Sequence, residues 1–239
     1  MMEPYHEEPE TCEWKTSVTG VKDGKFVTLE QSYFYPQGGG QPFDTGALKT
    51  ETGDEYPVIF VGKFGGQVSH QIEAEGKPPL ETGATVTCSI DKERRSYLMR
   101  SHTAAHIVSA LIRKESDALI TGNQLSTEKV RIDFSVENYD PELFKRIILE
   151  ANELIAKGGP VATEFLSQEE ALKEPTLATL AKGLPAHEEI RVVEIGGLDR
   201  QACGGTHIAD ISEIGELEFL KAENKGVKNR RVYFRLVEK

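Results

Sequence analysis

The chain has 239 residues, 38% of them hydrophobic and 28% charged, which is the composition of an ordinary soluble protein with one large domain or two modest ones. Three widely spaced cysteines exclude a disulfide framework. A formal net charge of −11 argues against nucleic acid as a partner for the surface as a whole, although it does not constrain each patch. Because no apolar run can cross a bilayer and no secretory signal is present, we expect a cytoplasmic protein without a membrane partner.

The first third of the chain contains many short strand-like segments separated by glycine and proline turns. Asp23 and Gly24 form a hairpin signal between two of them, and further turns are predicted at residues 38–40, 53–54, 65–66 and 77–79. No helix is predicted between about residues 14 and 91. The pattern indicates a small barrel or sandwich, and we assign residues 1–91 to a first, all-β domain.

Helical and strand-like patterns alternate over the remaining residues, 92–239. Apolar spacing predicts a helix at residues 96–114 and strands at 129–136, 190–195, 214–220 and 231–237. Asp140, followed by Pro141, predicts the start of a second helix, and Gly158 predicts its end. Ser167 with Glu170 predicts a capping box for a third helix. The second domain is therefore expected to be of the α+β class.

Two short motifs carry side chains that bind metals. His102 and His106 are four residues apart in a predicted helix, so both imidazoles point from the same face. Cys203 and His207 flank a Gly-Gly-Thr segment, whose glycines permit a tight turn that aims both side chains in one direction. Each pair alone is ambiguous, because core histidines and buried cysteines are common. Together, three imidazoles and one thiolate suit Zn²⁺ in tetrahedral geometry, and we predict one zinc site.

The predicted zinc site leaves one alternative open. Four protein ligands form a closed, structural site, whereas a catalytic zinc keeps one position for water or substrate. The sequence therefore does not decide whether the zinc takes part in a reaction or only organises the residues around it.

A basic segment near the end of the chain is a candidate for contact with nucleic acid. Lys228, Arg230 and Arg231 follow a glycine and precede a predicted strand, within residues 221–235, which hold six cationic side chains and one glutamate. Two interpretations remain. The segment is either a solvated basic face or a local phosphate-binding track on an acidic body.

Three elements, in this order and spacing, resemble those of a known family. They are Tyr-Pro-Gln-Gly-Gly-Gly-Gln-Pro-Phe-Asp-Thr-Gly at residues 35–46, Arg-Ser-His-Thr-Ala-Ala-His at 100–106 and Cys-Gly-Gly-Thr-His at 203–207. The chain resembles the medium-length type of the AlaX family of alanyl-tRNA-editing proteins, relatives of the editing domain of alanyl-tRNA synthetase. One departure is Gln31-Ser32, where relatives often carry an acidic residue and threonine.

This resemblance implies a fold, a cofactor and a reaction. It implies a small N-terminal β-barrel followed by an α+β editing domain, with zinc bound by His102, His106, Cys203 and His207. It also implies tRNA as the partner and hydrolysis of the ester that joins serine or glycine to alanine tRNA. The sequence does not rank serine against glycine as the substrate. It does not determine the oligomeric state either, and a monomer is one option.

The resemblance also gives meaning to several polar residues. Thr121 and Gln124 form either part of a connecting turn or a contact with the hydroxyl of the amino acid, while Thr103 is a candidate for substrate contact or for support of a ligand. The Gly-rich segment is either a flexible turn or a place where the backbone approaches the terminal nucleotides of tRNA or packs on the catalytic domain. The candidates for RNA contact are Gly38, Gly39, Gly40, Gln41, Lys228, Arg230 and Arg231.

Two other functions remain open at this point. A zinc-stabilised RNA-binding module without enzymatic activity is favoured by the number of ligands. A zinc hydrolase that acts on small esters or amides is the third interpretation.

Overall fold

The computed structural model describes residues 3–137, 140–177, 189–226 and 229–237. The chain divides into two compact units, residues 1–97 and 98–239. A long helix, Lys92–Ser116, runs through this division. The boundary that we predict from the sequence, between residues 91 and 92, coincides with the start of that helix. Within the described ranges, no helix is long and apolar enough to span a membrane.

The first unit is built around a closed six-stranded antiparallel barrel. A one-turn helix precedes it, and the strands follow one another around the barrel in the order β1-β2-β5-β4-β3-β6. Of the two architectures that the turn pattern allows, the structure has the barrel. The elements are α1 (Pro4–Glu7), β1 (Glu13–Lys22), β2 (Phe26–Leu29), β3 (Gly46–Thr50), β4 (Glu55–Phe64), β5 (Gln67–Ile72) and β6 (Thr85–Ile90).

The barrel encloses the core of this unit. Cys88, predicted to be a buried strand residue, is fully buried in β6, and its burial raises the pKa of the thiol to about 12. The core also contains a buried histidine, His70, which we discuss below. Fully or almost fully buried apolar side chains of the barrel include Val18, Val27, Phe34, Leu48, Tyr56, Val58, Val61 and Val86.

The Gly-rich element of the sequence is an ordered part of the first unit. Gly39 and Gly40 both have positive φ, as a two-residue hairpin turn requires, and the flanking Gly38 and Gln41 exchange backbone hydrogen bonds of 3.2 and 2.9 Å. At the end of the element, the buried carboxylate of Asp44 accepts hydrogen bonds from the guanidinium of Arg95, also in this unit, at 3.0 and 3.1 Å from Nε. The segment is therefore fixed by both its turn and a buried ion pair.

The second unit combines helices with two antiparallel sheets, ordered β11-β10-β9 and β12-β13-β8-β7. Two 3₁₀ turns, Pro175–Leu177 and Ile211–Ile214, join its elements. The elements are α2 (Lys92–Ser116, which begins in the first unit), β7 (Ile120–Leu125), β8 (Val130–Phe134), α3 (Pro141–Lys157), β9 (Val161–Ser167), α4 (Gln168–Leu172), β10 (Glu189–Ile195), β11 (Asp199–Ala202), β12 (Leu217–Asn224) and β13 (Arg230–Leu236).

Helix ends with strong local signals occur where the sequence predicts them. The side chain of Asp140 caps α3 by accepting a hydrogen bond from the backbone of Glu142 at 3.0 Å, and Gly158 ends the helix with a φ of 73°. Ser167 and Glu170 form the predicted capping box of α4. Both predictions are confirmed, because each signal depends on atoms only a few residues apart.

Two local predictions differ from the structure. Residues 121–124, one interpretation of which is a connecting turn, lie inside strand β7, which pairs with β8. The strand predicted from residue 214 begins only at Leu217, because Ile211–Ile214 forms a 3₁₀ turn capped by Asp210. At residues 121–124, backbone pairing with β8 outweighs the weak apolar pattern of the segment. At residues 211–214, the hydrogen bonds of the Asp210 cap do so.

Candidate metal centre

The two predicted motifs meet in the second unit. His102 and His106 lie one turn apart on α2, and Cys203 and His207 lie on the loop that follows β11. One ligand atom from each of the four residues lies within 4.8 Å of all the others. The Sγ atom of Cys203 is 3.5 Å from Nε2 of His102 and 3.4 Å from Nε2 of His207. All three imidazoles are buried, so this group can hold a metal ion away from bulk solvent.

The loop that carries Cys203 is fixed by an arginine that the sequence analysis does not identify. Nη1 of Arg191, on β10, donates hydrogen bonds of 2.9 Å to the carbonyl oxygens of Cys203 and Gly205. The backbone N–H of Cys203 donates in return to the carbonyl of Arg191 at 2.9 Å. Cys203 and His207 converge as expected, although neither Gly204 nor Gly205 has positive φ. Arg191, rather than an unusual backbone conformation, orients the loop.

Hydrogen bonds to the outer ring nitrogens fix two of the three imidazoles. Thr103 uses its hydroxyl proton on the carbonyl of Met99 at 3.0 Å, so its Oγ1 accepts from Nδ1 of His207, also at 3.0 Å. A carboxylate only accepts, and therefore Nδ1 of His106 donates to Oδ2 of Asp199 at 2.9 Å. With the proton on Nδ1, each ring presents the lone pair of Nε2 as a ligand.

Asp199 is the centre of a small network behind His106. Its carboxylate is buried and also accepts hydrogen bonds from Nη2 of Arg113 and from the side-chain amide of Gln201, the latter at 2.6 Å. Asp199 is not among the residues predicted from the sequence, although the sequence carries a signal for it. Residues 199, 201 and 203 alternate along β11 and its extension, and the first two are buried, which is the pattern of side chains on one face of a strand.

The charges of the group favour a thiolate. Burial raises the pKa of Cys203, but the three surrounding imidazoles outweigh burial and bring the pKa well below its usual value. Burial holds the pKa of His207 well below its usual value. Burial also opposes protonation of His106, yet the Cys203 thiolate and the hydrogen bond to Asp199 raise its pKa to about 9.

The candidates for substrate contact occupy different environments. Thr103 is fully buried and belongs to the metal centre through His207. Thr121 and Gln124 lie on β7, an edge strand of the four-stranded sheet, and both side chains are exposed. The structure thus brings Thr103 together with the ligands and gives Thr121 and Gln124 access to solvent.

The candidates for RNA contact also differ from one another. The guanidinium of Arg230 is buried and donates to Oδ1 of Asn224 at 2.9 Å and to the carbonyls of Gly226 and Glu137. Arg230 is therefore not the exposed phosphate contact that the sequence predicts. A buried guanidinium needs hydrogen-bond acceptors, and here the side chain of Asn224 and two backbone carbonyls supply them. Arg231 is half-buried and forms two hydrogen bonds with Asp133, at 2.6 and 3.0 Å. Lys228 lies outside the described residues.

The barrel and the unit with the metal centre together define a class of protein related to the aminoacyl-tRNA synthetases. Residues 9–94 match the model of the class II (A) tRNA synthetases. Residues 190–233, which include Cys203 and His207, match the model of the second additional domain of threonyl- and alanyl-tRNA synthetases.

Relatives over the full length define the family. Proteins named alanyl-tRNA editing protein AlaX-M from Methanosarcina barkeri and Saccharolobus solfataricus are 44% and 43% identical to this chain, over 95% and 89% of both sequences in each pair. An alanine–tRNA ligase from Thermofilum pendens is 39% identical over 92% of this chain but only 24% of the ligase. This chain belongs to the AlaX-M family of alanyl-tRNA editing proteins.

Proposed function

We propose that this chain is a trans-editing hydrolase that removes serine or glycine from mischarged alanine tRNA at a zinc-containing site. The convergence of His102, His106, Cys203 and His207 carries the proposal, because it would provide a reactive centre in a chain that aligns over 95% of its length with an alanyl-tRNA editing protein. In this proposal residues 1–91 form the barrel domain and residues 92–239 the editing domain.

The four ligands fit Zn²⁺ better than a harder cation. Three imidazole nitrogens and a thiolate are the donors that zinc prefers, whereas Mg²⁺ and Ca²⁺ prefer oxygen. The hydrogen bonds of Thr103 and Asp199 already hold two rings in the tautomer that a metal requires. When bound, Zn²⁺ supplies a Lewis acid and a fixed positive charge next to an ester carbonyl.

The protein's own residues would orient the centre and select the amino acid. Asp199 and Thr103 hold the rings of His106 and His207 by their outer nitrogens. Serine differs from alanine by a hydroxyl, which an apolar pocket cannot strongly reject, and a second, polar site can reverse that preference. We propose Thr121 and Gln124 as contacts for this hydroxyl, since their exposed side chains can donate and accept hydrogen bonds. Alanine would leave such groups unpaired.

Contact with tRNA is proposed for two parts of the chain. In the first unit, the turn exposes Gly39 and leaves Gly38 and Gly40 half-buried, so a backbone without Cβ atoms is open to RNA there. Gln41, which the sequence also predicts as an RNA contact, is buried and is not part of this surface. In the second unit, we propose Arg231 and Lys228 of the basic segment as phosphate contacts. Arg230 is left out because its guanidinium bonds to groups inside the protein. A track of this kind on an acidic chain would depend strongly on salt concentration.

A deacylation assay tests the proposal. We would incubate the zinc-loaded protein with seryl-, glycyl- and alanyl-tRNA and measure the amino acid released, for the wild type, His102→Ala and the control His6→Ala. His6 is a histidine of α1, outside the metal centre. We expect release of serine or glycine by the wild type and the control, little release of alanine, and loss of activity in His102→Ala.

One alternative has support from a specific observation. Four protein ligands that converge within 4.8 Å can form a closed site, which favours a zinc-stabilised RNA-binding module without activity. Zinc-loaded protein that is folded and binds tRNA but releases no amino acid would support this alternative and contradict the proposed hydrolase. Release from small esters but not from aminoacyl-tRNA would identify a different class of hydrolase.

A further inference from the structure

The four-stranded sheet of the second unit has one face that helix α3 covers and one that it leaves open. Asn152 of α3 forms two hydrogen bonds, of 2.8 and 2.9 Å, with the backbone of Leu217 on β12. Val232 and Phe234 on β13 are fully buried, whereas the intervening Tyr233 is half-buried. Since side chains alternate along a strand, Tyr233 belongs to the face opposite these apolar residues.

Tyr233 lies at the centre of the open face, among cationic side chains. In the strand register it stands between Lys221 on β12 and Arg131 on β8. The Nζ atom of Lys221 is 4.8 Å from the centre of the tyrosine ring, and that of Lys129 is 5.9 Å from it. The guanidinium carbon of Arg231 is 6.0 Å from the same point. An aromatic ring is thus surrounded by positive charge on the surface of a sheet.

The face carries a surplus of positive charge. Among the described residues, the ion pairs of its cations reach three carboxylates. The pairs are Asp133 with Arg131 and Arg231, Glu223 with Lys221 and Lys225, and Glu218 with Arg235. The cations of the face are Lys129, Arg131, Lys221, Lys225, Arg231 and Arg235. Six cations against three carboxylates stand out in a chain whose formal net charge is −11.

We propose that this open sheet face binds RNA, with an unpaired base stacked on Tyr233 and the backbone phosphates bound by Lys129, Lys221 and Lys225. The inference rests on the proposed function, since it takes the RNA to be tRNA and its unpaired segment to be the 3′ end. An aromatic side chain on a sheet surface stacks on any base, and the cations around it attract the phosphates. The ionic character of the face favours a polyanion over a protein partner, whose interface core would be depleted of charge.

The lysines are tested by the salt dependence of binding. We would measure the Kd of fluorescently labelled, uncharged alanine tRNA by anisotropy over a range of KCl concentrations. Lys129→Gln combined with Lys221→Gln should weaken binding at least tenfold at low salt and reduce the slope of log K against log salt by roughly one per lysine. The control combines Lys145→Gln on α3 with Lys173→Gln, which follows α4, and it has the same change in net charge.

Stacking is tested at Tyr233 itself with a single-stranded oligonucleotide of the tRNA 3′ end. Tyr233→Leu should weaken its binding about tenfold, and Tyr233→Phe should bind like the wild type because it keeps the ring. Equal losses in both variants would overturn the stacking assignment, since the phenolic hydroxyl, 3.5 Å from Oε2 of Glu223, would then be the group that matters. Thermal unfolding of each variant shows that the sheet is intact.

Failure of this inference is distinguishable from failure of the proposed function. If the wild type hydrolyses seryl-tRNA and the lysine variants raise KM without changing kcat, both stand. If the wild type hydrolyses seryl-tRNA but folded variants bind tRNA like the wild type, the RNA face is overturned and a protein partner becomes the better occupant. If the wild type binds tRNA through this face but hydrolyses nothing, only the proposed activity fails.

Discussion

Nδ1 of His106 donates a hydrogen bond of 2.9 Å to Oδ2 of Asp199, and this contact joins the metal centre to the interior of the second unit. The carboxylate is buried, and Arg113 and Gln201 supply its remaining hydrogen bonds. A buried carboxylate is stable only where such donors surround it. The same arrangement fixes the tautomer of His106, so a residue that could bind a metal is oriented by one outside the candidate ligand set.

Asp199→Asn should weaken metal binding by about 10- to 100-fold, because it removes the charge that holds His106 while keeping the shape of the side chain. The measurement is competition for zinc with a chromophoric chelator. Asp117→Asn is the matched control, since Asp117 follows α2 with an exposed side chain. Equal zinc affinity in both variants would show that Asp199 does not position His106.

Arg191→Met should destabilise the loop of Cys203 by about 1–3 kcal/mol, because one buried and one part-buried carbonyl oxygen lose their donor. The methionine keeps most of the apolar stem and removes the guanidinium. Denaturant unfolding and the rate of zinc release to a chelator measure the effect. Arg146→Met, on the exposed surface of α3, should change neither quantity, and identical results for the two variants would contradict the bracing role.

Zinc should raise the thermal unfolding temperature of the protein, and a chelator should lower it again. A ligand that binds only the folded state at a hundred times its Kd stabilises it by about 3 kcal/mol. Cys203→Ser should abolish this shift, because serine replaces the thiolate that the three imidazoles stabilise. Cys12→Ser, a change of a cysteine in the first unit, should retain the full shift. A zinc-dependent shift that survives in Cys203→Ser would exclude this residue from the site.

The buried histidine of the barrel should make folding stability depend on pH. His70 donates from Nδ1 to the carbonyl of Val27 at 2.9 Å and accepts from the hydroxyl of Ser32 at 2.8 Å, so it is neutral. Burial lowers its pKa from 6.5 to about 4. The unfolded chain therefore binds a proton that the folded chain does not, and His70 favours unfolding progressively as pH falls from about 6.5 to about 4, by about 3 kcal/mol in total.

Urea unfolding at pH 4 to 7 measures this effect. His70→Gln should be less stable than the wild type at pH 7 but should lose less of its remaining stability on acidification. His6→Gln, outside the barrel strands, should follow the wild-type pH profile. A His70→Gln profile parallel to that of the wild type would contradict the assigned protonation state.

The sequence by itself determined the features that depend on neighbouring residues. Asp140 and Gly158 mark the ends of α3 because a cap acts within one turn, and the spacing of His102 and His106 places both rings on one helix face wherever that helix lies. The motif of Cys203 and His207 predicted the other two candidate ligands, and the fold brings all four side chains together. The family resemblance, which rests on these motifs and the Gly-rich element, was confirmed by a relative that matches over 95% of the chain.

The tertiary structure alone decided what surrounds these residues. Strand β7, whose Thr-Gly-Asn-Gln core has no apolar alternation, forms because its backbone pairs with β8. Asp199 meets His106 across 93 positions of sequence, and the guanidinium of Arg230 turns inward to carbonyl groups that only the folded chain brings near it. The imidazoles around Cys203 outweigh its burial and lower its pKa, and these neighbours meet only when distant segments pack together.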